Sequence, residues 1–178
     1  VDLHFERFIA YSRQHVAAIR VLATAVSHPC AVAVAAAVDG HVANQDLLHL
    51  RLEDQGKGPG DAIWLRARTR HTGHSIAVAA TLSVVTSSGN GGGGATAELC
   101  PGQPSLLAKV ELKPGQTLQV DKLVALTTDR DPQDAATAAA EPGAALGGGE
   151  ATGVVGRALS QLANVSYDQL RAEHVAAW

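Results

Sequence analysis

A chain of 178 residues is long enough for one domain with a core of its own. Its formal charge of −3 and the scattering of its 14 basic residues leave no electrostatic footprint for nucleic acid or an anionic membrane surface. Apolar residues make up 46% but aromatic ones only 3%, so Ala and Val must fill much of the interior, and such layers are thin and bury less area per residue than Leu or Phe would. No apolar run approaches the ~20 residues of a membrane span, and no basic-then-apolar leader is present. Cys30 and Cys100 lie far apart and outside any CxxC spacing, which fits free buried thiols at least as well as a disulfide.

In chain order, residues 1–26 carry recurrent apolar positions without Gly or Pro. The β-branched residues around Val16, Ile19 and Val21 predict two strands, although an Ala-rich helix would give a similar pattern. Pro29 ends that segment. Residues 30–38 read as a short apolar strand running into Asp39-Gly40, a dipeptide suited to a tight hairpin turn, with a return strand over 41–52. Residues 63–70 alternate apolar with basic, as a strand with one dry and one wet face must, so Ile63, Leu65 and Ala67 are expected to point inward. Thr72-Gly73 turns the chain into a buried return strand over 75–85, with His71 and His74 flanking the hairpin tip. Asn90 and the glycines that follow it, 91–94, form a flexible loop by composition. A third hairpin is expected from strands 106–112 and 117–128 about Lys113-Pro114-Gly115-Gln116, whose Pro-Gly pair suits the centre of a type II turn.

After Asp131-Pro132 the sequence becomes Ala-rich and is broken by Glu141-Pro142-Gly143 and by the glycines 147–149. That composition predicts a linker carrying one or two helices. Residues 154–162 fit a short helix, and Ser166 with Gln169 fit the N-cap and capping-box positions of a last one, on which Leu170, His174 and Ala177 share a face. Residues 1–131 are thus expected to form the β unit and 132–178 an Ala/Gly-rich helical linker. No repeat of fixed period emerges. The chain opens at Val1 within a predicted strand, contains no Met and stops at Trp178 in a predicted helix, so a domain taken from a larger protein is expected.

No catalytic constellation can be assembled from these elements. His71 and His74 could be imagined as metal ligands, but at i, i+3 around a hairpin tip they diverge and lack a Cys or acidic partner nearby. Surface or packing positions explain them better, as they do His4, His15, His28, His41, His49 and His174. The glycine run after Asn90 lacks the spacing and the following Lys-Ser or Lys-Thr of a phosphate cradle. Glu6, Asp39, Asp46, Glu53, Asp54, Asp121, Asp129 and Asp131 include no pair that can be placed across a cleft, and no Ser-His-Asp or Cys-His set stands out. Tyr11, Trp64, Tyr167 and Trp178 could form a sugar-stacking platform, yet with aromatics so few, packing is the better reading of each. Asn164-Val165-Ser166 fits the N-glycosylation acceptor pattern, which matters only in a secreted protein. No residue of this chain is therefore assigned a catalytic, cofactor-binding or metal-binding role.

The order of the motifs nevertheless points to a family. Glu6-Arg7-Phe8-Ile9-Ala10 followed by Arg13-Gln14-His15-Val16-Ala17-Ala18-Ile19-Arg20 resembles the strand pair in the N-terminal domain of family 65 glycoside hydrolases, which include maltose, trehalose and kojibiose phosphorylases and acid trehalases. Val38-Asp39-Gly40-His41-Val42-Ala43-Asn44 resembles a hairpin of that family, and Pro114-Gly115 with Asp121-Lys122-Leu123-Val124 and Thr128-Asp129-Arg130-Asp131 resembles a later strand ending in arginine-aspartate. Tyr167-Asp168-Gln169-Leu170 with Glu173-His174 and Trp178 is similar to the helix leading toward the catalytic barrel. Departures are Ala10 where a polar residue is more usual, Val38 where Leu is usual, and the glycine-rich insertions.

The resemblance implies a mainly β fold: an antiparallel β-sandwich of the galactose mutarotase-like super-sandwich type, incomplete because this chain would hold its later part, with a C-terminal α-helical linker toward an absent (α/α) barrel. It implies a non-catalytic scaffold in an inverting glycoside phosphorylase or trehalase acting on α-linked glucose disaccharides, with inorganic phosphate as co-substrate in the first case. The catalytic acid would lie beyond Trp178. Its own barrel domain and a possible second copy are the implied partners, with no nucleic acid and no membrane. The compartment would be cytoplasmic for a phosphorylase, secreted or vacuolar for an acid trehalase. The alternatives are a stand-alone carbohydrate-binding or adhesion sandwich, and a structural sandwich with no ligand.

Overall fold

A computed structural model of the chain describes residues 1–89, 94–131 and 153–178. The larger part of the anticipated 90–94 loop and the Ala/Gly-rich stretch from Pro132 to 152 lie outside the described residues.

The N-terminal stretch folds as the two strands expected and not as a helix. β1 (Asp2–Ile9) and β2 (Val16–Thr24) pair antiparallel, with Asp2 opposite Thr24 and Ile9 opposite Ala17. They open a six-stranded sheet whose order is β1-β2-β11-β8-β7-β6, built with β6 (Leu50–Lys57), β7 (Ile63–Thr69), β8 (Ser75–Thr86) and β11 (Thr117–Thr128). Across one face of it lies a three-stranded sheet of order β3-β10-β9, from β3 (Cys30–Ala37), β9 (Thr96–Cys100) and β10 (Gln103–Leu112). A two-residue ribbon pairs β4 (Ala43–Asn44) with β5 (Leu47–Leu48). The fold is the antiparallel two-sheet sandwich expected.

Period-two alternation in the central strands supplies two interfaces from one sheet. On β11, Leu118 and Val120 face the small sheet, where they meet Val110 and Leu112, while Leu123 and Ala125 face the other way into a cluster with Val16, Ala18, Ala77 and Ala79. That second face is covered by helix α1 (Val154–Leu162) and helix α2 (Tyr167–Ala176). Small Ala side chains on β8 and β11 let the apolar stripe of α1, formed by Val154, Val155, Ala158 and Leu162, settle onto the sheet. Ile63, Leu65 and Ala67 point inward as expected. Trp64, on the opposite face, is dry as well, because it belongs to the helix-side cluster. Gly56 lies opposite Trp64 across the β6–β7 pair, and a Cβ there would come within 2.8 Å of the indole.

Two of the three expected hairpins prove to be crossings between layers. Asp39-Gly40 does not fold β3 back onto a return strand. β3 pairs with β10, and the chain crosses to the large sheet, where β6 pairs with β7. The turn is real, since the His41 amide donates to Asp39 Oδ1 at 2.9 Å. Gly40, however, is demanded by packing: its Cβ would run into the Leu52 side chain. The type II turn at Lys113–Gln116 also forms, with Gly115 at φ +80° and the Gln116 amide donating to Lys113 O at 3.0 Å, but β10 and β11 lie in different sheets. Val110, Leu112, Leu118 and Val120 all need the interlayer space, so the corner stacks the two strands face to face and does not pair them edge to edge. The Thr72-Gly73 hairpin between β7 and β8 forms as anticipated. β9 had no counterpart among the expected strands.

The small sheet does not reach over β1. Leu3, Phe5 and Ile9 on one side of it stay 54%, 65% and 69% exposed, with Arg7 between the last two on the same side.

Candidate docking site on the helical layer

α2 is fixed to the sheet by one apolar anchor and three ionic ties. The anchor is Leu170, fully buried. The central tie is Arg20 on β2, directly opposite Asp121 on β11. Its Nε and Nη2 donate to Asp121 Oδ1 and Oδ2 at 2.6 and 2.8 Å, its Nη1 donates to Asp168 Oδ1 on α2 at 2.8 Å, and the guanidinium carbon sits 3.8 Å from the centre of the Tyr167 ring. A planar fork is the one basic side chain able to make a bidentate pair, a third hydrogen bond and a stacking contact together. Asp121 and Asp168 accordingly hold the Arg20 proton more firmly than usual.

The second tie centres on Glu6 of β1, whose Oε2 accepts from the Tyr167 hydroxyl at 2.7 Å and whose Oε1 accepts from Arg171 Nε at 2.9 Å. Those bonds lower the Glu6 pKa. Burial and the Glu6 carboxylate raise that of Tyr167. In the third tie, Arg13 Nε and Nη2 donate to Glu173 Oε2 and Oε1 at 3.0 and 3.1 Å, joined by Ser12 at 3.2 Å and Gln169 at 2.9 Å. The Arg13 bond is the main cause that pushes the Glu173 carboxyl down to about 2. Ser166 caps the helix as expected, accepting from the Gln169 amide at 3.2 Å. The reciprocal arm of the capping box is absent, because the Gln169 side chain turns to Glu173.

Two of the ties are therefore acid-sensitive. Glu6 and Glu173 have folded pKa values below their ordinary 4.5, so the stability they contribute is present above about pH 4.5 and is lost as the pH falls toward 2. The protection of α2 amides, taken relative to the intrinsic exchange rate at each pH, is expected to fall across that window before that of β8 and β11, and Glu173→Gln is expected to remove part of the dependence. An equal loss of protection in all elements would show that α2 carries no separate acid-labile attachment.

Beside these ties lies an aromatic ledge. Phe8 stacks on His174 with centroids 4.9 Å apart and meets Tyr167 edge-on at 5.5 Å. Trp178 lies 6.2 Å from His174 and 6.4 Å from Tyr11. A cleft of about 410 Å³ opens here, lined by Ile9, Ala10, Tyr11, Gln14, His174 and Trp178. Tyr11 and Trp178 remain 64% and 88% exposed, and His174 Nδ1 is shut off from solvent without a hydrogen-bond partner among the described residues. Among the described residues the cleft lining contains no acidic side chain and no hydroxyl beyond the Tyr11 phenol. Contact and stacking are what this chemistry supports.

The four aromatics considered as a sugar platform separate into two pairs, Trp64 and Tyr167 in the core and Tyr11 and Trp178 on the surface. His71 is exposed at the hairpin tip. His74 does have an acidic neighbour, contrary to expectation: its Nδ1 is 3.3 Å from Asp129 Oδ1, brought there by the β8–β11 pairing. Among the described residues no group of three His, Cys, Asp or Glu side chains is arranged to hold a metal ion. Cys30 and Cys100 are free thiols, and Cys100 is exposed, not buried. Asp131 accepts from the Thr128 amide and hydroxyl, and Asn164 sits exposed between the helices at φ +56°. Leu170 and half-buried His174 share the sheet-facing side of α2, whereas Ala177 is exposed. Sequence reasoning passed over Arg13, Arg20 and Phe8. The detectable signal was Arg20, the one charge in the otherwise apolar β2, together with Asp121, which sits beside Lys122 in the middle of β11.

Comparison with known proteins accords with this architecture. The N-terminal domain model of glycosyl hydrolase family 65 matches residues 1–178. The solved structure of a "Putative kojibiose phosphorylase from human microbiome" superposes with a TM-score of 0.73 at 12% identity, over 98% of this chain and 20% of that one, so the chain spans about a fifth of that protein's length. Among curated protein sequences none matches it. With the family match running over its whole length, the chain belongs to glycosyl hydrolase family 65, of which it is an N-terminal domain.

Proposed function

We propose that this domain is the non-catalytic scaffold of an enzyme that cleaves α-glucosidic disaccharides by phosphorolysis or hydrolysis, and that α2 with its aromatic ledge is where the catalytic domain, an (α/α) barrel, is seated. The observation that carries this reading is the helical layer itself. Three ionic ties and a buried leucine immobilise a ten-residue helix, and beside it apolar and aromatic side chains stand uncovered around a cleft. A rigid mount with an exposed apolar surface is what an interdomain contact requires. The structural relative is about five times longer than this chain and is described as a kojibiose phosphorylase, which supports both the larger catalytic partner and the substrate class. Inversion at the anomeric carbon, with a carboxylic acid protonating the leaving oxygen, is the chemistry expected of that partner.

The test is to assay the full-length protein on kojibiose, maltose and trehalose with and without inorganic phosphate. Phosphate-dependent formation of glucose 1-phosphate is expected for a phosphorylase, and phosphate-independent glucose release for a hydrolase. No turnover of any of the three would sink the disaccharide reading.

A further inference from the structure

Between β3 and β6 the chain leaves the sandwich. Every residue from His41 to His49 is exposed, although Val42, Leu47 and Leu48 are large and apolar, at 60%, 63% and 46% exposure. Ala43 stands opposite Leu48 and Asn44 opposite Leu47 across the β4–β5 pair, so the two leucines, adjacent in sequence, point to opposite faces of the ribbon. Neither face is buried. At its tip Gln45 and Asp46 take φ +51° and +61°, the left-handed pair of a type I′ hairpin, without the Gly that usually occupies it.

The base of the ribbon, by contrast, is fixed. The Gly40 amide donates to Gly102 O and the Arg70 amide to His49 O, both at 2.9 Å. Above these two bonds no side chain from Val42 to Leu48 makes a hydrogen bond or an ion pair among the described residues. A two-stranded ribbon alone is marginal in water, and one with apolar side chains on both faces is stabilised when a partner covers them.

The strand registers show what shares its end of the molecule. In the large sheet, Ile9 at the end of β1 stands at the same end as Leu50 at the start of β6. The aromatic ledge beside Ile9 and the ribbon leading into Leu50 therefore occupy one end of the sandwich, at its two edges. Six strands lie in that sheet, and their spacing puts the two features about 24 Å apart. A domain larger than this one, seated on the ledge, reaches across that distance, and the structural relative is about five times the length of this chain.

We propose that the β4–β5 ribbon is a second docking element for the same catalytic domain, with Val42, Leu47 and Leu48 inserted into an apolar groove on that domain's surface. The inference rests on the reading of the ledge as that domain's seat. A single ledge beside one helix leaves a seated domain free to pivot, whereas two contacts at opposite edges of one end fix its orientation.

The experiment is photo-cross-linking of the full-length protein with benzoylphenylalanine placed singly at Leu47, Tyr11 and Lys113, all exposed, and identification of the linked peptides by mass spectrometry. Leu47 and Tyr11 are expected to link, within one chain, to peptides outside residues 1–178. Lys113, before the start of β11 at the opposite end of the sheet, is expected not to. In the unlabelled full-length protein, amides 42–48 are expected to exchange about tenfold more slowly than their intrinsic rate, or more slowly still, since a free ribbon of this size would be largely unprotected. A link from Tyr11 with none from Leu47 would overturn the ribbon contact and leave the seat on the ledge standing, and no link from either would remove the seat as well. Leu47 linking without Tyr11 would retain the ribbon contact and move the seat off the ledge. Links from Leu47 only to a second copy or only within residues 1–178, equal linking from Lys113, or exchange of 42–48 at the intrinsic rate would each overturn the proposal.

Discussion

Leu170→Ala is expected to lower the stability of the domain by about 3 kcal/mol, within the range for truncating a buried leucine. Leu170 is fully buried in the cluster that joins α2 to β2, β8 and β11. The Ala-rich surroundings make collapse of the cavity difficult, since Ala18, Ala77, Ala79 and Ala125 have no longer rotamer with which to fill it. The loss falls unevenly. α1 keeps its own stripe of Val154, Val155, Ala158 and Leu162 on the sheet, so urea unfolding followed by tryptophan fluorescence is expected to retain the transition of Trp64, while hydrogen exchange in α2 rises toward that of an unstructured segment. Full protection of α2 in the variant would show that the ionic ties suffice to hold it.

Arg20→Met tests the opposite term. Removing one partner of a largely buried ion pair strands the other, at a cost of about 3–5 kcal/mol in deep interiors. Arg20 and Asp121 are 15% and 13% exposed at the rim of the helical layer, so about 2–3 kcal/mol is expected here. The effect is expected to exceed that of Arg171→Met, whose side chain is half exposed and whose loss costs at most about 1 kcal/mol, as for a surface pair. The double variant Arg20→Met with Asp121→Leu is expected to regain most of the stability, because it removes the stranded carboxylate along with its partner. Chemical denaturation of the three variants checks the order. If the double variant proved as unstable as Arg20→Met alone, contacts of the guanidinium with Asp168 and Tyr167, and not the stranded Asp121, would account for the loss.

Much of the fold is legible locally and less of it globally. The β7–β8 hairpin is readable because alternation and turn chemistry agree: 63–70 alternates cleanly and Gly73 adopts φ +73° at the tip. The α1 boundaries and the Ser166 cap are readable for the same reason, since the apolar stripe and the capping residue are local facts. Asp39-Gly40 and Pro114-Gly115 show where local reading stops. Both sequences make the turns their residues favour, but a turn does not specify whether the chain returns within its own sheet or crosses to the other. That choice is made by where Val110, Leu112, Leu118 and Val120 can all be buried together, a long-range requirement with no signature in a short window. β9 is short, and only Ala97 among its five residues is partly buried, the others being exposed, so it offers no periodic signal.

The docking site divides along the same line. Tyr167, Leu170 and His174 are placed by helical periodicity, and the capping pattern locates the helix. The ties are not visible that way, because Arg13, Arg20 and Glu6 are separated from their α2 partners by about 150 residues of chain. The arginine cluster around Glu53 is hidden by a β-bulge. Residues 63–70 announce Arg66 and Arg68 as a wet face, but only the slip at Leu52/Asp54 turns Glu53 onto that face to meet them.

The most direct measurement is the disaccharide assay run on residues 1–178 alone, beside the full-length protein, with kojibiose, maltose and trehalose and with and without phosphate. A scaffold predicts turnover by the full-length protein and none by the isolated domain at any concentration. Glucose or glucose 1-phosphate released by residues 1–178 on their own would contradict it.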